Sequence, residues 1–299
     1  MKSIIKSIAI VILNYMSCQE TVEYIDSIGK FYPDIPRIII VDNGTPEKKL
    51  NFLKIIVNKN SRISLHEIGE NLGFAKGNNI GIKIALSEGY KYIVCSNNDI
   101  LFTEGNVLEK LYYDLIKYNA AVVGPSIINL KGQNQNPLLI ERPNKKQFKR
   151  IAKGHSLFRI LGAQLIKKPE MRKRIKDILR LKTNIDSHDA KNTSSYVYAL
   201  HGSFLMFGPL FLKHYDGFDP STFLYGEELI LGEMLLKKEL KAYYDSEVCI
   251  LHKEDKTSDI VWGGQDKLKP RLFARESFRV YKKWWKNNNR ILEERNDES

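Results

Sequence analysis

An α/β fold with a mostly parallel central sheet flanked by helices is predicted from two features of the chain. Apolar runs at 8 to 13, 37 to 41, 63 to 68, 92 to 95 and 121 to 128 alternate with stretches of helical length at about 18 to 31, 46 to 57, 75 to 88 and 105 to 118. That rhythm implies parallel strands with helices on both faces. Polar side chains follow three of the strands closely, as Asn14, Asp42-Asn43-Gly44 and Asn98-Asp99. Ligands of such sheets bind beyond the carboxyl ends of the strands, so these groups gather at a binding edge.

The chain has 299 residues, 43% of them hydrophobic, enough to fill one large domain or two small ones. Lys2 and Lys6 ahead of Ile8 to Leu13 imitate a signal peptide, but the run is short and ends at Asn14 without a small-residue cleavage pattern. It reads as a first buried strand. No run approaches the roughly 18 apolar residues of a spanning helix, so a soluble or peripheral protein is expected. Cys18, Cys95 and Cys249 form no CxxC pair, which fits a reducing, cytoplasmic compartment.

Asp42-Asn43-Gly44 reads either as the turn that ends the strand from Ile38 to Val41 or as a contact to a base or ribose through Asp42. Asn71 to Ile82 is more informative. Asn71 and Gly73 permit an unusual backbone turn, while Gly77, Asn78 and Gly81 lie inside a predicted helix, where each Gly costs about 1 kcal/mol relative to Ala. Such a loss points to close approach of another group. The spacing is neither the dinucleotide GxGxxG nor the P-loop GxxxxGK(S/T). Asp99, just past the apolar run from Tyr92 to Cys95, caps a turn or joins a divalent ion that bridges a diphosphate, which needs only one or two protein carboxylates.

Residues 131 to 195 break the rhythm. They hold 17 Lys/Arg against 5 Asp/Glu, and the rest of the chain balances at 30 against 30, so the whole net charge of +12 lies in this segment. Gln133 to Pro137 reads as a loop, and Phe148 to Leu181 interleaves basic with apolar residues as basic amphipathic helices do. Phe148 and Phe158 belong to no RRM-like or KH-like pattern, so no nucleic-acid partner is expected. From Tyr196 the globular pattern returns. A strand pair (Val197 to Leu200, Ser203 to Phe207), a turn from Asp216 to Pro220, a helix from Glu227 to Lys238 and two short strands (Lys241 to Tyr244, Val248 to Leu251) are predicted. A last helix from Leu268 to Trp285 precedes a tail expected to fray after Asn287. Glu227 and Glu228 either offset the dipole of the helix they open or supply a general base. His252 ends the last strand. The segments divide into a nucleotide-sugar-binding half (1–130), a basic helical insertion (131–195), an acceptor and catalytic half (196–264) and a C-terminal basic helix (265–299).

In this order the segments resemble family 2 of the inverting nucleotide-sugar glycosyltransferases, most closely its bacterial rhamnosyltransferase-like members. Val11-Ile12-Leu13-Asn14-Tyr15 and Val41-Asp42-Asn43-Gly44-Thr45 are similar to the family's first two strand ends, and Asn71 to Gly81 is similar to its NxGFAxGNNxG. Ser96-Asn97-Asn98-Asp99 stands in place of the metal-binding DxD, Leu200 to Met206 and Gly217-Phe218-Asp219 resemble the acceptor side, and Phe223 to Glu228 resembles FxYxED. The resemblance implies a GT-A type fold and the transfer of a sugar from a UDP- or dTDP-sugar to a lipid-linked saccharide of a bacterial surface polysaccharide. It implies Mn²⁺ or Mg²⁺ on Asp99 near His252, and a base at Glu228, with Glu227 the alternative. Donor contacts are expected from Asn14, Asp42, Asn71, Gly73, Phe74, Ala75, Gly77, Asn78 and Asn98, and acceptor contacts from His201, Gly202 and Asp219. Ile230 and Met234 depart from the acid and the Arg frequent there. A sugar-1-phosphate nucleotidylyltransferase and a non-catalytic sugar-binding relic are the rival readings. The basic residues of the insertion, with Trp284 and Trp285 as interfacial anchors, are expected to meet the anionic inner face of the plasma membrane.

Overall fold

Alternation within each strand sets the architecture. In β1 (Ile8–Asn14), β2 (Arg37–Asp42) and β4 (Tyr92–Asn97), the side chains of Ile8, Ile10, Ile12, Ile38, Ile40 and Val94 enter one core. Those of Ala9, Val11, Ile39, Val41, Ile93 and Cys95 enter another on the opposite face. Strands buried on both faces need helices on both faces. α2 (Cys18–Phe31) and α5 (Val107–Lys117) cover the first core, and α4 (Phe74–Ser87) covers the second. The computed structural model describes residues 2–155, 192–253 and 268–297. The remaining described elements are α1 (Lys2–Ile5), α3 (Glu47–Val57), β3 (Ile63–Glu67), β5 (Ile100–Phe102), β6 (Val122–Asn129), α6 (Lys145–Gly154), β7 (Ser195–Val197), β8 (Phe204–Phe207), α7 (Pro209–Leu212), α8 (Glu227–Lys237), β9 (Ala242–His252) and α9 (Lys269–Asp297).

The sheet runs β3-β2-β1-β4-β8-β6-β9-β5, with β7 paired to β9. Its first four strands are parallel, as predicted. The second half is mixed: β8 enters antiparallel between β4 and β6, and β5 and β7 run antiparallel to β9. The pair expected from Val197 to Leu200 and Ser203 to Phe207 does not form, because β7 and β8 join different neighbours. The two short strands expected from Lys241 to Leu251 are one strand, β9, whose pairing with β6 shifts register between Pro125 and Ser126.

The C-terminal segment is a continuous helix to Asp297, where a frayed tail was expected after Asn287. Packing accounts for it. The Arg142 guanidinium binds Glu233 through Nε (2.8 Å) and Nη2 (3.1 Å), and the Asn288 amide donates to the same carboxylate at 2.7 Å. Glu233 is fully buried, so this polar cluster ties α9 to α8 and to the start of the insertion. α6 is basic and amphipathic, opened by a capping box between Asn144 and Gln147. Its apolar face meets α9: Phe148 stacks on Trp285 at 4.0 Å and packs against Phe278 and Tyr281. Trp285 is therefore a core residue, 7% exposed, and not the interfacial anchor expected of it. The remaining helical residues expected up to Leu181 fall within 156–191, outside the described residues.

Phe148→Ala removes the ring that joins α6 to α9. We expect a loss of about 3 kcal/mol in urea unfolding, the order found for truncating a buried Phe.

Candidate active site

The strands β1, β2 and β4 end in a buried polar network. Asn14 donates through Nδ2 to Asp42 Oδ1 at 2.7 Å, and its Oδ1 accepts from the Thr21 hydroxyl at 2.8 Å. Asp42 Oδ2 accepts from the backbone N–H groups of Gly44 (3.2 Å) and Thr45 (2.8 Å). Asn98 donates to the Ser17 carbonyl (2.9 Å) and to the Thr21 hydroxyl (3.1 Å). Asn14, Asp42 and Asn98 are nearly sealed from solvent. Expected to touch a donor, they lock the strand ends and the turn after β2, because a buried amide or carboxylate must find partners within the chain.

The segment from Asn71 to Gly81 is likewise fastened within the chain. Asn43 holds it from the β2 turn, donating to Asn71 Oδ1 (2.9 Å) and accepting from the Leu72 N–H (2.9 Å). Gly73 has φ +84°, and a Cβ there would lie 2.3 Å from the Phe223 carbonyl oxygen. That carbonyl also accepts the Phe74 N–H at 2.7 Å, so the loop is stitched to the stretch preceding Glu227. Gly77 and Gly81 let α4 approach the sheet, their absent Cβ atoms lying 2.5 Å from Leu13 and 2.3 Å from Val11. Ala75 and Asn78 are buried, and Asn78 bonds back to the Phe74 carbonyl at 3.0 Å. The glycines predicted close approach correctly in kind. The approaching group is this chain itself.

Asp99 is 6% exposed, and its Oδ1 has no hydrogen-bond donor among the described residues. Nε2 of His252 lies 3.3 Å from it, since β5 and β9 pair Ile100 with His252 and the Lys253 N–H donates to the Asp99 carbonyl at 3.0 Å. The ring of His201 sits 5.8 Å from that of His252, and His201 Nδ1 meets the Ser203 hydroxyl at 2.9 Å. The next residue, Gly202, touches Glu228: a Cβ there would lie 3.0 Å from its Oε1. Asp99, His252, His201, Gly202 and Glu228 thus form a continuous line across the carboxyl ends of β4 and β9. Among the described residues no group of three or more His, Cys, Asp or Glu is spaced to hold a metal by itself.

The two acids of α8 differ. Glu227 is 5% exposed and its Oε1 has no partner, and burial with the adjacent Glu228 pushes its pKa up to about 8. The pKa of Glu228 is raised by burial too, but its side chain keeps accessible surface, and the nearby backbone of Gly202 and Gly226 favours its anion. Asp219, expected on the acceptor side, accepts the indole N–H of Trp284 at 2.7 Å at the rim of a separate cavity of about 590 Å³. Trp284 is thereby held in a protein contact and is not free as an anchor. Ile230 and Met234, which depart from the acid and the Arg, are core side chains, and Met234 lines the same cavity as Asp219. Gln135 and Asn136, read from the sequence as loop, reach the site: Gln135 Oε1 lies 2.7 Å from His252 Nδ1, and Asn136 Oδ1 accepts the His201 N–H at 2.9 Å. Their run of alternating Gln and Asn was the available signal.

Residues 7–173 match the family model for Glycosyl transferase family 2. The chain belongs to that family. This glycosyltransferase has a GT-A fold, similar to solved structures of low sequence identity. A mannosyltransferase from Pyrobaculum calidifontis in complex with GDP-Man and Mn²⁺ aligns at 13% identity and TM-score 0.53 over 92% of this chain and 69% of the other. TarS of S. aureus aligns at 12% and 0.51 over 83% and 37%, and GalNAc-T7 with UDP, GalNAc and Mn²⁺ at 13% and 0.52 over 82% and 43%. The chain therefore spans less than half the length of the last two. No curated protein matches the glycosyltransferase in sequence. The family membership sets the nucleotidylyltransferase reading aside.

A carboxyl of pKa about 8 in the fold and 4.5 outside it binds its proton more tightly in the native state. Its contribution is full below about pH 4.5 and is lost as pH rises towards 8, a difference of the order of 5 kcal/mol. Glu227→Gln should therefore flatten the fall of Tm between pH 5 and 8 measured by calorimetry.

Proposed function

We propose that this glycosyltransferase takes its sugar from a nucleotide-sugar, a UDP- or dTDP-sugar, and inverts the anomeric centre as it transfers it to a hydroxyl of a lipid-linked bacterial surface polysaccharide. One observation carries the reading. Glu228 Oε1 packs against Gly202, whose neighbour His201 packs beside His252, the partner of Asp99. An acid able to take a proton and a pair able to hold a cation near phosphate thus face one corner.

Asp99 and His252 would hold Mn²⁺ or Mg²⁺. The buried Asp99 Oδ1 lacks a hydrogen-bond donor among the described residues, and one carboxylate with one imidazole suffices when phosphate oxygens and water supply the other ligands. Two structures of similar fold, described with Mn²⁺ and with GDP-Man or UDP, support this choice. Such an ion would offset the negative charge growing on the departing nucleoside diphosphate. Glu228 takes the proton of the acceptor hydroxyl as its oxygen bonds to the anomeric carbon, and the bond from that carbon to the diphosphate oxygen breaks. Burial raises the pKa of both acids, and as adjacent carboxyls they titrate as a pair that holds its first proton more tightly than a free carboxylate. The raised pKa of Glu228 makes it a stronger base than a free carboxylate.

The membrane side of the reading rests on charge. Lys145, Lys146, Lys149, Arg150 and Lys153 are exposed on α6, and Arg279, Lys282, Lys283 and Lys286 on the α9 it packs against. Each cation near an anionic leaflet contributes about 1 kcal/mol. No helix among the described residues is long and apolar enough to cross a membrane, and the contact proposed is peripheral, at the cytoplasmic face.

Thermal shifts with UDP-, dTDP- and GDP-sugars, with and without Mn²⁺, should identify the donor, since a ligand at 100 times its Kd adds about 2.7 kcal/mol. With that donor, Asp99→Ala should abolish transfer and the Mn²⁺ dependence of binding. Glu228→Gln should abolish transfer yet bind donor normally, whereas loss of turnover in Glu227→Gln alone would move the base by one residue. The protein should co-sediment with phosphatidylglycerol vesicles at low salt, release as salt rises, and ignore neutral vesicles.

A further inference from the structure

We infer that Gln135 is a positioning residue for the metal site: its amide oxygen fixes His252 in the tautomer whose Nε2 lone pair points at Asp99. The inference rests on the metal reading above and adds to it a residue from a segment with no expected role.

The run from Gln133 to Asn136 is fastened along its length. Asn129 Oδ1 accepts the N–H groups of Lys131 (3.0 Å) and Gln133 (2.9 Å), and Asn134 donates to the Tyr244 hydroxyl at 2.8 Å. The Gln135 N–H donates to the Ile127 carbonyl at 2.8 Å, and Asn136 donates to that of Pro125. A polar loop on so many bonds holds its side chains in fixed directions, and Gln135 Oε1 ends 2.7 Å from His252 Nδ1.

A carbonyl oxygen accepts and never donates, so the proton of this contact belongs to Nδ1. In the neutral ring Nε2 then keeps its lone pair, facing Asp99 Oδ1 at 3.3 Å. Two electron-rich atoms at that distance repel unless positive charge is shared between them, and Asp99 Oδ1 has no hydrogen-bond donor among the described residues. The order Gln135, His252, Asp99 is that of an outer partner, an imidazole ligand and a carboxylate ligand. Partners outside the ligand set typically govern metal affinity by 10- to 100-fold through ring orientation and tautomer. Gln135 lies between β6 and β7 in sequence, so the polar run after β6 completes a site whose ligands follow β4 and end β9.

The test uses the full chain labelled with ¹⁵N-histidine, with His252→Asn to assign the His252 signals and Mn²⁺ as the probe. Wild-type His252 should show the pattern of a protonated Nδ1 and an unprotonated Nε2. Gln135→Leu should move the population to the opposite tautomer and raise the Mn²⁺ concentration that broadens the His252 signals at least tenfold. Gln135→Glu, which keeps an acceptor oxygen, should retain the wild-type tautomer. If wild-type His252 carries its proton on Nε2, or if Gln135→Leu broadens at the wild-type Mn²⁺ concentration, the role of Gln135 is overturned. If Mn²⁺ leaves the wild-type signals untouched, the metal reading falls and this role with it, a result distinct from the previous two.

Discussion

Amides and carboxylates sealed beneath the ends of three parallel strands have no water to turn to, and the rest of the molecule is arranged around satisfying them. Asn14, Asp42 and Asn98 bond to one another's neighbours, to the start of α2 and to the turn after β2. Leaving one such group unpaired costs about 1–3 kcal/mol, so the relative positions of β1, β2 and β4 are specified by hydrogen bonding as well as by apolar packing. Asn43 extends the same logic to the loop from Asn71 to Gly73, and Gly73 passes it to Phe223. The segment carrying Glu227 and Glu228 is thereby placed relative to strands far from it in sequence.

Most of the N-terminal half was legible because its signals are local. Continuous apolar runs such as Ile38 to Val41 predict strands buried on both faces, and β1, β2, β3 and β4 form where periodicity puts them. The second half was less legible because its order depends on pairing between distant segments. β8 sits beside β4 and not beside β7, and no periodicity in either strand encodes that choice. The residues Val248 to Leu251 looked like a separate strand because Asp245 and Glu247 interrupt the apolar run, yet β9 continues through a register shift.

At the site, residue identity was easier to read than residue role. The unusual glycines and asparagines from Asn71 to Gly81 do mark close approach, but Gly77 and Gly81 accommodate Leu13 and Val11. Sequence alone cannot separate a glycine that admits a ligand from one that admits a neighbouring strand, since both need only a missing Cβ. Trp284 and Trp285 illustrate the same ambiguity for aromatic residues beside lysines: one indole is bonded to Asp219 and the other stacked on Phe148. Gln135 carried no signal of its own because its importance lies in what a β6–β7 connection brings near β9.

The docking of α6 on α9 also constrains the order of assembly. Pro143, just before α6, accepts the indole N–H of Trp285 across 142 positions of chain, a contact whose closure entropy is met late in folding. During translation at about 5–20 residues per second, the apolar face around Phe148 therefore waits roughly ten seconds for its cover. Over that interval the apolar side of α6 is flanked by Lys145, Lys146, Lys149, Arg150 and Lys153, cations whose like charges oppose the approach of a second copy.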